Sequence, residues 1–281
     1  FNNRITGSID VYRANSDELL LNRPLPANSG FGSITQNLGE VRNQGIEFQV
    51  QTINIQTDAF EWSTRFNAGI NQNEILSLSE GQEALNPGGN LPTAVGKSLE
   101  AWKVPLWAGV NPADGRPMFY DQDGNITYRP AEADDQFFDG GEEDVEGGFG
   151  TRLSYKGLSL DAFFQFSYGA TSLPNTERAF LSNQGAFSAG LDLLNDRWRE
   201  PGDVTDVARA VPSGVYPFAD DFNSFSTYWL YDSSYLRLKS LRLGYSLPDV
   251  VTERLQLRGV SVYVSGFNLV TWTSYIGLDP E

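Results

Sequence analysis

Residues 59 to 71 alternate between apolar and polar. Phe60, Trp62, Thr64, Phe66, Ala68 and Ile70 fall on one side of an extended chain, with Glu61, Ser63, Arg65, Asn67 and Asn71 on the other. Successive side chains of a strand point to opposite faces, so this run predicts a ribbon with one greasy and one wet face. Leu158–Tyr168 repeats the pattern: Leu158, Leu160, Ala162, Phe164, Phe166 and Tyr168 oppose Ser159, Asp161, Gln165 and Ser167, and Phe163 breaks the polar side. Further strands are predicted at 5–12, 44–50 running on to about 55, 148–155, 236–247 and 257–269, about seven in all. A helical pattern occurs once, at about 190–200.

Lys156-Gly157 and Thr57-Asp58 each separate two strand patterns and carry turn-compatible residues, which predicts two tight hairpins. The other connections, roughly 14–40, 72–146 and 170–233, are long and hold most of the Pro, Asp and Asn. Two architectures share such alternation. One is a soluble or surface-attached β-sandwich able to bind carbohydrate. The other is a transmembrane barrel, whose strands need about 9–11 residues and whose two rims carry tight turns and long loops respectively. Strand length favours the barrel. So do aromatics near the strand ends, Tyr155, Tyr168, Tyr245 and Trp272, which suit interfacial girdles.

Composition narrows the chemistry. The chain has no Cys and no His, which removes thiolate sites, cysteine nucleophiles and the commonest general base and transition-metal ligand. Its 36 acidic residues against 20 basic ones, a net charge of −16, oppose any surface that must neutralise phosphates, so nucleic acid is not an expected partner. No apolar stretch approaches the roughly 18 residues of a membrane helix, and a membrane role must run through strands. The sequence opens on Phe1 and shows no export segment, and it reads as a piece of a longer protein.

Candidate motifs mostly reduce to loop structure. The acidic run from Glu132 through Asp134, Asp135, Asp139, Glu142, Glu143, Asp144 and Glu146 offers carboxylates for Ca²⁺ but lacks calcium-loop spacing, and a solvated loop is the better account. Asp121-Gln-Asp-Gly124 resembles the start of an EF-hand, with its glycine at the fourth position instead of the sixth, and reads as a hairpin turn. Gly148-Phe-Gly150 lacks the third glycine and the helix of a nucleotide motif. Adjacent Glu142 and Glu143 have no fixed separation for glycoside hydrolysis. Trp102, Trp107, Trp198, Tyr216, Phe218 and Trp229 fall in predicted loops, where they would stack on sugar rings, anchor a partner or pack the loops themselves.

Several blocks occur in order over nearly the whole chain. They are Gly7-Ser-Ile-Asp-Val-Tyr12, Asn43-Gln-Gly-Ile-Glu-Phe48, Gly109-Val-Asn-Pro-Ala-Asp-Gly115 and Tyr155-Lys-Gly-Leu-Ser-Leu-Asp161. More specific are Arg197-Trp-Arg-Glu-Pro-Gly-Asp203, Ser234-Tyr-Leu-Arg-Leu-Lys239 with Leu243-Gly-Tyr-Ser-Leu-Pro248, and Ser265-Gly-Phe-Asn-Leu-Val-Thr-Trp272 closing on Gly277-Leu-Asp-Pro-Glu281. Together they resemble the C-terminal half of SusC/RagA-type TonB-dependent outer-membrane transporters. The stretch before Gly147 departs from that family in being richer in acids.

The resemblance implies an all-β chain of antiparallel strands, residues 1–281 forming the C-terminal part of a transmembrane β-barrel of about 22 strands with long extracellular loops. The plug, the N-terminal strands and the last strand would lie outside it. It further implies TonB-dependent import of a nutrient, of oligosaccharide or peptide class, across the outer membrane of a Gram-negative bacterium, without catalysis or a cofactor. The implied partners are a SusD-like surface lipoprotein acting as a lid, the TonB complex engaged through the absent N-terminal region, and outer-membrane lipid. Trp107, Arg197, Trp198, Asp203 and Tyr216 are the loop residues expected nearest cargo or lid.

Overall fold

Seven strands hydrogen-bond side by side in the order in which they occur along the chain, each antiparallel to the next. This computed structural model describes residues 3–18, 20–24, 33–37, 39–78, 83–85, 90–173, 195–210, 225–254 and 256–281. The wall strands are Ile5–Ser16, Glu40–Gln56, Phe60–Ser77, Val145–Tyr155, Leu158–Tyr168, Tyr235–Ser246 and Ser261–Thr273. Among the described residues the first and last are each paired on one side only, so the sheet is an open arc. No second sheet of comparable size stacks on it among the described residues, which sets the β-sandwich aside.

The register extends the alternation read within single strands across the whole arc. One face carries Phe60, Tyr155, Leu158, Tyr245 and Val262 in one row, and Trp62, Leu153, Leu160, Leu243 and Val264 in another. Farther up lie Phe66 beside Phe149 and Phe164, then Phe166 beside Leu236 and Trp272. From Leu158 to Tyr168 this band spans about 33 Å along the strand, or about 25 Å once a barrel tilt near 40° is applied. That is the height of a bilayer's apolar core. The opposite face carries Ser8, Gln49, Asn67 and Gln165 in one row and Thr6, Gln51, Arg65 and Phe163 in the next.

Both predicted hairpins are present. Lys156 and Gly157 have positive φ, 46° and 90°, as a tight two-residue turn with the twist of its strands requires. The other turn takes in Ala59 as well, and the Thr57 hydroxyl accepts the Phe60 N–H at 3.0 Å. The connection after Ser246 is longer and holds a short helix, Asp249–Arg254, so the last strand starts at Ser261 instead of 257. The helix expected at about 190–200 survives, among the described residues, only at 195 and 196. Arg197 is already extended and bridges Val207.

The second and third wall strands outrun the apolar band on the long-loop rim. There Val41 and Ile75 are buried, the backbone of Ile75 bonds Lys97 and Gly96, and Asn73 accepts the Leu99 N–H at 2.7 Å. The loop between the third and fourth strands folds on itself into a four-stranded sheet, Ile126–Thr127, Pro117–Tyr120, Trp102–Val110 and Asp135–Phe138.

Candidate functional site

At the long-loop rim, segments from two connections share a core. Val104, Val110, Leu173, Val207, Ala208 and Trp229 are its buried members. Trp102, Trp107 and Trp198 pack against them with Phe225, Tyr228 and Tyr231. Trp107 holds its ring centre 5.4 Å from Phe119 and 5.1 Å from Tyr228. The Trp198 indole N–H donates to the Pro112 carbonyl at 3.0 Å, and its ring lies where a Cβ at Gly115 would stand. These tryptophans therefore use much of their surface to bind loop to loop. Burial pushes the phenol of Tyr228 well above its usual range and that of Tyr231 up to about 12.

The turn 111–116 is thereby clasped by 195–210. Gly202 N–H bonds Pro112 O at 2.9 Å, Arg209 N–H bonds Gly115 O at 2.9 Å, and the Arg209 guanidinium reaches Asp114 O at 3.1 Å. Asp203 closes its own turn by accepting the Arg199 and Glu200 N–H groups at 2.8 and 3.1 Å, and these bonds lower its pKa. The structure thus brings Trp107, Arg197, Trp198 and Asp203 into one platform. Tyr216 and Phe218 lie outside the described residues.

The carboxylates of the loop between the third and fourth wall strands have separate surroundings. Asp121 accepts the Asp123 and Asn125 N–H groups at 2.9 and 2.8 Å, and Gly124 takes φ +80°, which makes this segment the tip of a hairpin. Asp134 accepts from Gln122 and Ala131. Glu142, held above its usual range by burial, lines a cavity with Glu47, Glu100, Glu143 and Glu146 under the loop. Among the described residues no three of Asp, Glu, His or Cys converge to hold a metal.

The polar face of the wall holds groups that the sequence reading left unassigned. Phe163, the residue that broke alternation, lies over Gly148, and Arg65 lies over Gly150 with its guanidinium 5.3 Å from the Phe163 ring centre. One row nearer the tight turns, Ser63, Arg152, Asp161, Arg242 and Ser265 are consecutive register partners. Nearer the loops, Arg237 is buried and donates to Asp279, Glu281 and the Thr271 hydroxyl. Arg152 opposite Asp161 follows from the Lys156-Gly157 hairpin alone and was readable in the sequence.

No protein-family model matches the chain. Among curated proteins it is 34% identical to TonB-dependent receptor P3 of Formosa agariphila and 30% identical to TonB-dependent receptor SusC of Bacteroides thetaiotaomicron. Each alignment covers 100% of this chain and 29% or 28% of the relative, so the chain spans under a third of their length. Two solved structures, of the RagAB peptide transporter and of the RagAB peptide importer in its open-open state, superpose with a TM-score of 0.85. They are 29% and 30% identical, over 100% of this chain and 31% and 30% of theirs. These relatives are receptors and transporters and not enzymes. Matched along its whole length in sequence and in fold, the chain belongs to the SusC/RagA-type TonB-dependent receptors, of which it forms a stretch of barrel wall.

Proposed function

We propose that residues 1–281 are the C-terminal part of an outer-membrane importer's barrel, in a Gram-negative bacterium, moving a nutrient of oligosaccharide or peptide class. The observation that carries this reading is the band of apolar side chains, continuous across seven strands and edged by Phe60, Tyr155 and Tyr245 below and Trp272 above. Only lipid is a suitable neighbour for so broad an apolar face, and the polar face then lines the lumen. The open edges of the arc pair with further strands of the same barrel.

The long-loop rim faces outside. Its platform, built on Trp107, Arg197, Trp198 and Asp203, is the surface that meets cargo or a SusD-like lipoprotein lid. The RagAB structures, named for a two-part peptide transporter, support such a partner. Energy comes from the TonB complex through parts of the receptor outside this chain. Capture and passage break no covalent bond and need no cofactor.

The test is fractionation and uptake with the full-length protein. Expected are a heat-modifiable outer-membrane band and, on deletion of the gene, lost growth on either oligosaccharide or peptide as sole source. Recovery of the full-length protein as a soluble monomer would sink the reading.

A further inference from the structure

We propose that residues 274–281 form a strap inside the barrel, and that its apolar tip, Ile276 and Leu278, is a seat for the plug of the same receptor. The inference rests on the import reading and adds to it a contact between two parts of one protein. After the last wall strand ends at Thr273, the chain turns back over the polar face of the sixth, Tyr235–Ser246. Asp279 and Glu281 bind Arg237, and Glu281 also binds Lys239 at 3.0 Å, farther from the loops along the same strand. The Thr273 hydroxyl donates to the Ser234 carbonyl at 2.7 Å and accepts the Tyr275 N–H at 3.0 Å, which fixes the bend. Arg237 is the register partner of Gln165, well up the fifth strand from Leu158. That places the clamp about 18 Å above the tight-turn edge of an apolar band about 25 Å tall. The strap therefore lies within the barrel, below the long-loop rim.

The clamp fixes one side of the strap and leaves the other bare. Ile276 is 50% exposed and Leu278 99% exposed, whereas the ring of Tyr275 lies where a Cβ at Gly277 would stand. A lone leucine on an outer surface needs no partner, but here two apolar side chains are pinned at a fixed place by a buried arginine. The wall cannot cover them, because the row at the level of the clamp is Ser8, Gln49, Asn67 and Gln165. The opposite wall of a barrel of about 22 strands stands too far off, and the lumen of such a barrel is filled by a plug. Most of the receptor's length lies outside this chain, ample for one. Closing the plug on Ile276 and Leu278 removes their apolar area from water and is favoured in proportion to it. Arg237 is then a positioning residue that acts on the plug through the strap.

The experiment uses the full-length receptor in outer membranes, with the photoreactive residue p-benzoylphenylalanine at position 278 and mass spectrometry of the crosslinked peptides. Expected is a crosslink from 278 to the plug, its yield lowered about five-fold or more by Arg237→Met. The same probe at position 49, on the polar face of the second strand, should crosslink equally with and without that substitution. A crosslink from 278 to a lipoprotein lid or to residues after Glu281 overturns the seat. So does a yield at 278 that Arg237→Met leaves unchanged, or a loss shared equally by the probe at 49. A receptor that inserts in the outer membrane but gives no crosslink from 278 overturns the seat alone, whereas one that never inserts overturns the import reading and the seat with it.

Discussion

The guanidinium of Arg237, on a residue only 4% exposed, is bound by the carboxylates of both Asp279 and Glu281. It also donates to the Thr271 hydroxyl at 2.9 Å and lies 5.1 Å from the ring centre of Tyr235. Lys239 adds a second cation on Glu281 at 3.0 Å. The segment after the last wall strand is thereby folded back onto the polar face of the sixth. A buried guanidinium with two carboxylates is favourable only while both stay in place.

Arg237→Met should therefore free residues 274–281. The two acids are themselves largely exposed and regain water, so the loss is modest, about 1–3 kcal/mol. Limited proteolysis of the full-length receptor checks this: cleavage within 274–281 should appear in the variant and not in the parent. Lys239→Met, which removes only the more exposed of the two cations, should leave the segment resistant.

Gly148 and Gly150 lie two residues apart on the polar face, and the large side chains of neighbouring strands lie flat across them. A Cβ at Gly148 would meet the Phe163 ring, whereas one at Gly150 would meet the flexible stem of Arg65. Gly148→Ala should cost about 1–3 kcal/mol, as overpacking typically does, and Gly150→Ala less. Urea titration in detergent measures both. Adding Phe163→Ala should recover most of the Gly148→Ala loss, and an additive double variant would show that the ring is not what the glycine accommodates.

Alternation made all seven wall strands legible, because a two-residue period is imposed wherever one face meets an apolar medium and the other meets water. The strand Leu158–Tyr168 has the bounds the sequence implied. Legibility failed where that constraint ends. Trp102–Val110 falls within the connection read as 72–146, yet it is a strand, and Pro105 stands where it passes from Asp135–Phe138 on one side to Pro117–Tyr120 on the other. Neither ladder needs its missing N–H. For Trp107 and Trp198 the sequence leaves loop packing open beside contact with cargo or lid, because composition cannot tell a loop that is solvated from one that builds a core with another loop. The Arg237 cluster joins positions about forty residues apart, and no local pattern announces it.

Phe66 sits mid-band, its ring 6.1 Å from those of Phe48 and Phe166. Phe66→Arg places a charge against the lipid midplane and should cost about 2–4 kcal/mol, whereas Gln49→Arg, on the polar face one strand away, should cost about 0.5 kcal/mol or less. Equilibrium unfolding of the full-length receptor in lipid vesicles compares them. Equal losses would mean that the two faces do not meet different media.

Two carboxylates at the long-loop rim titrate in opposite senses. Glu142 is raised by burial, opposed by the Asn73 amide and supported by the nearby Glu100 and Glu143. Its folded form holds the proton more tightly than the unfolded chain does, so stability from this site is present below the ordinary glutamate range and declines as pH rises toward its folded value. Asp203 is lowered by the Arg199 and Glu200 N–H groups, so its contribution is present above the ordinary aspartate range and is lost as pH falls through its folded value. Amide protection at Arg199 and Glu200, taken relative to the intrinsic exchange rate at each pH, should fall in acid in the parent and be lost at every pH in Asp203→Ala. Glu142→Gln should remove the loss of loop protection on the rising side and leave the acid limb unchanged. A single shared limb, altered alike by both substitutions, would show that the platform and the acidic loop open together and not as separate units.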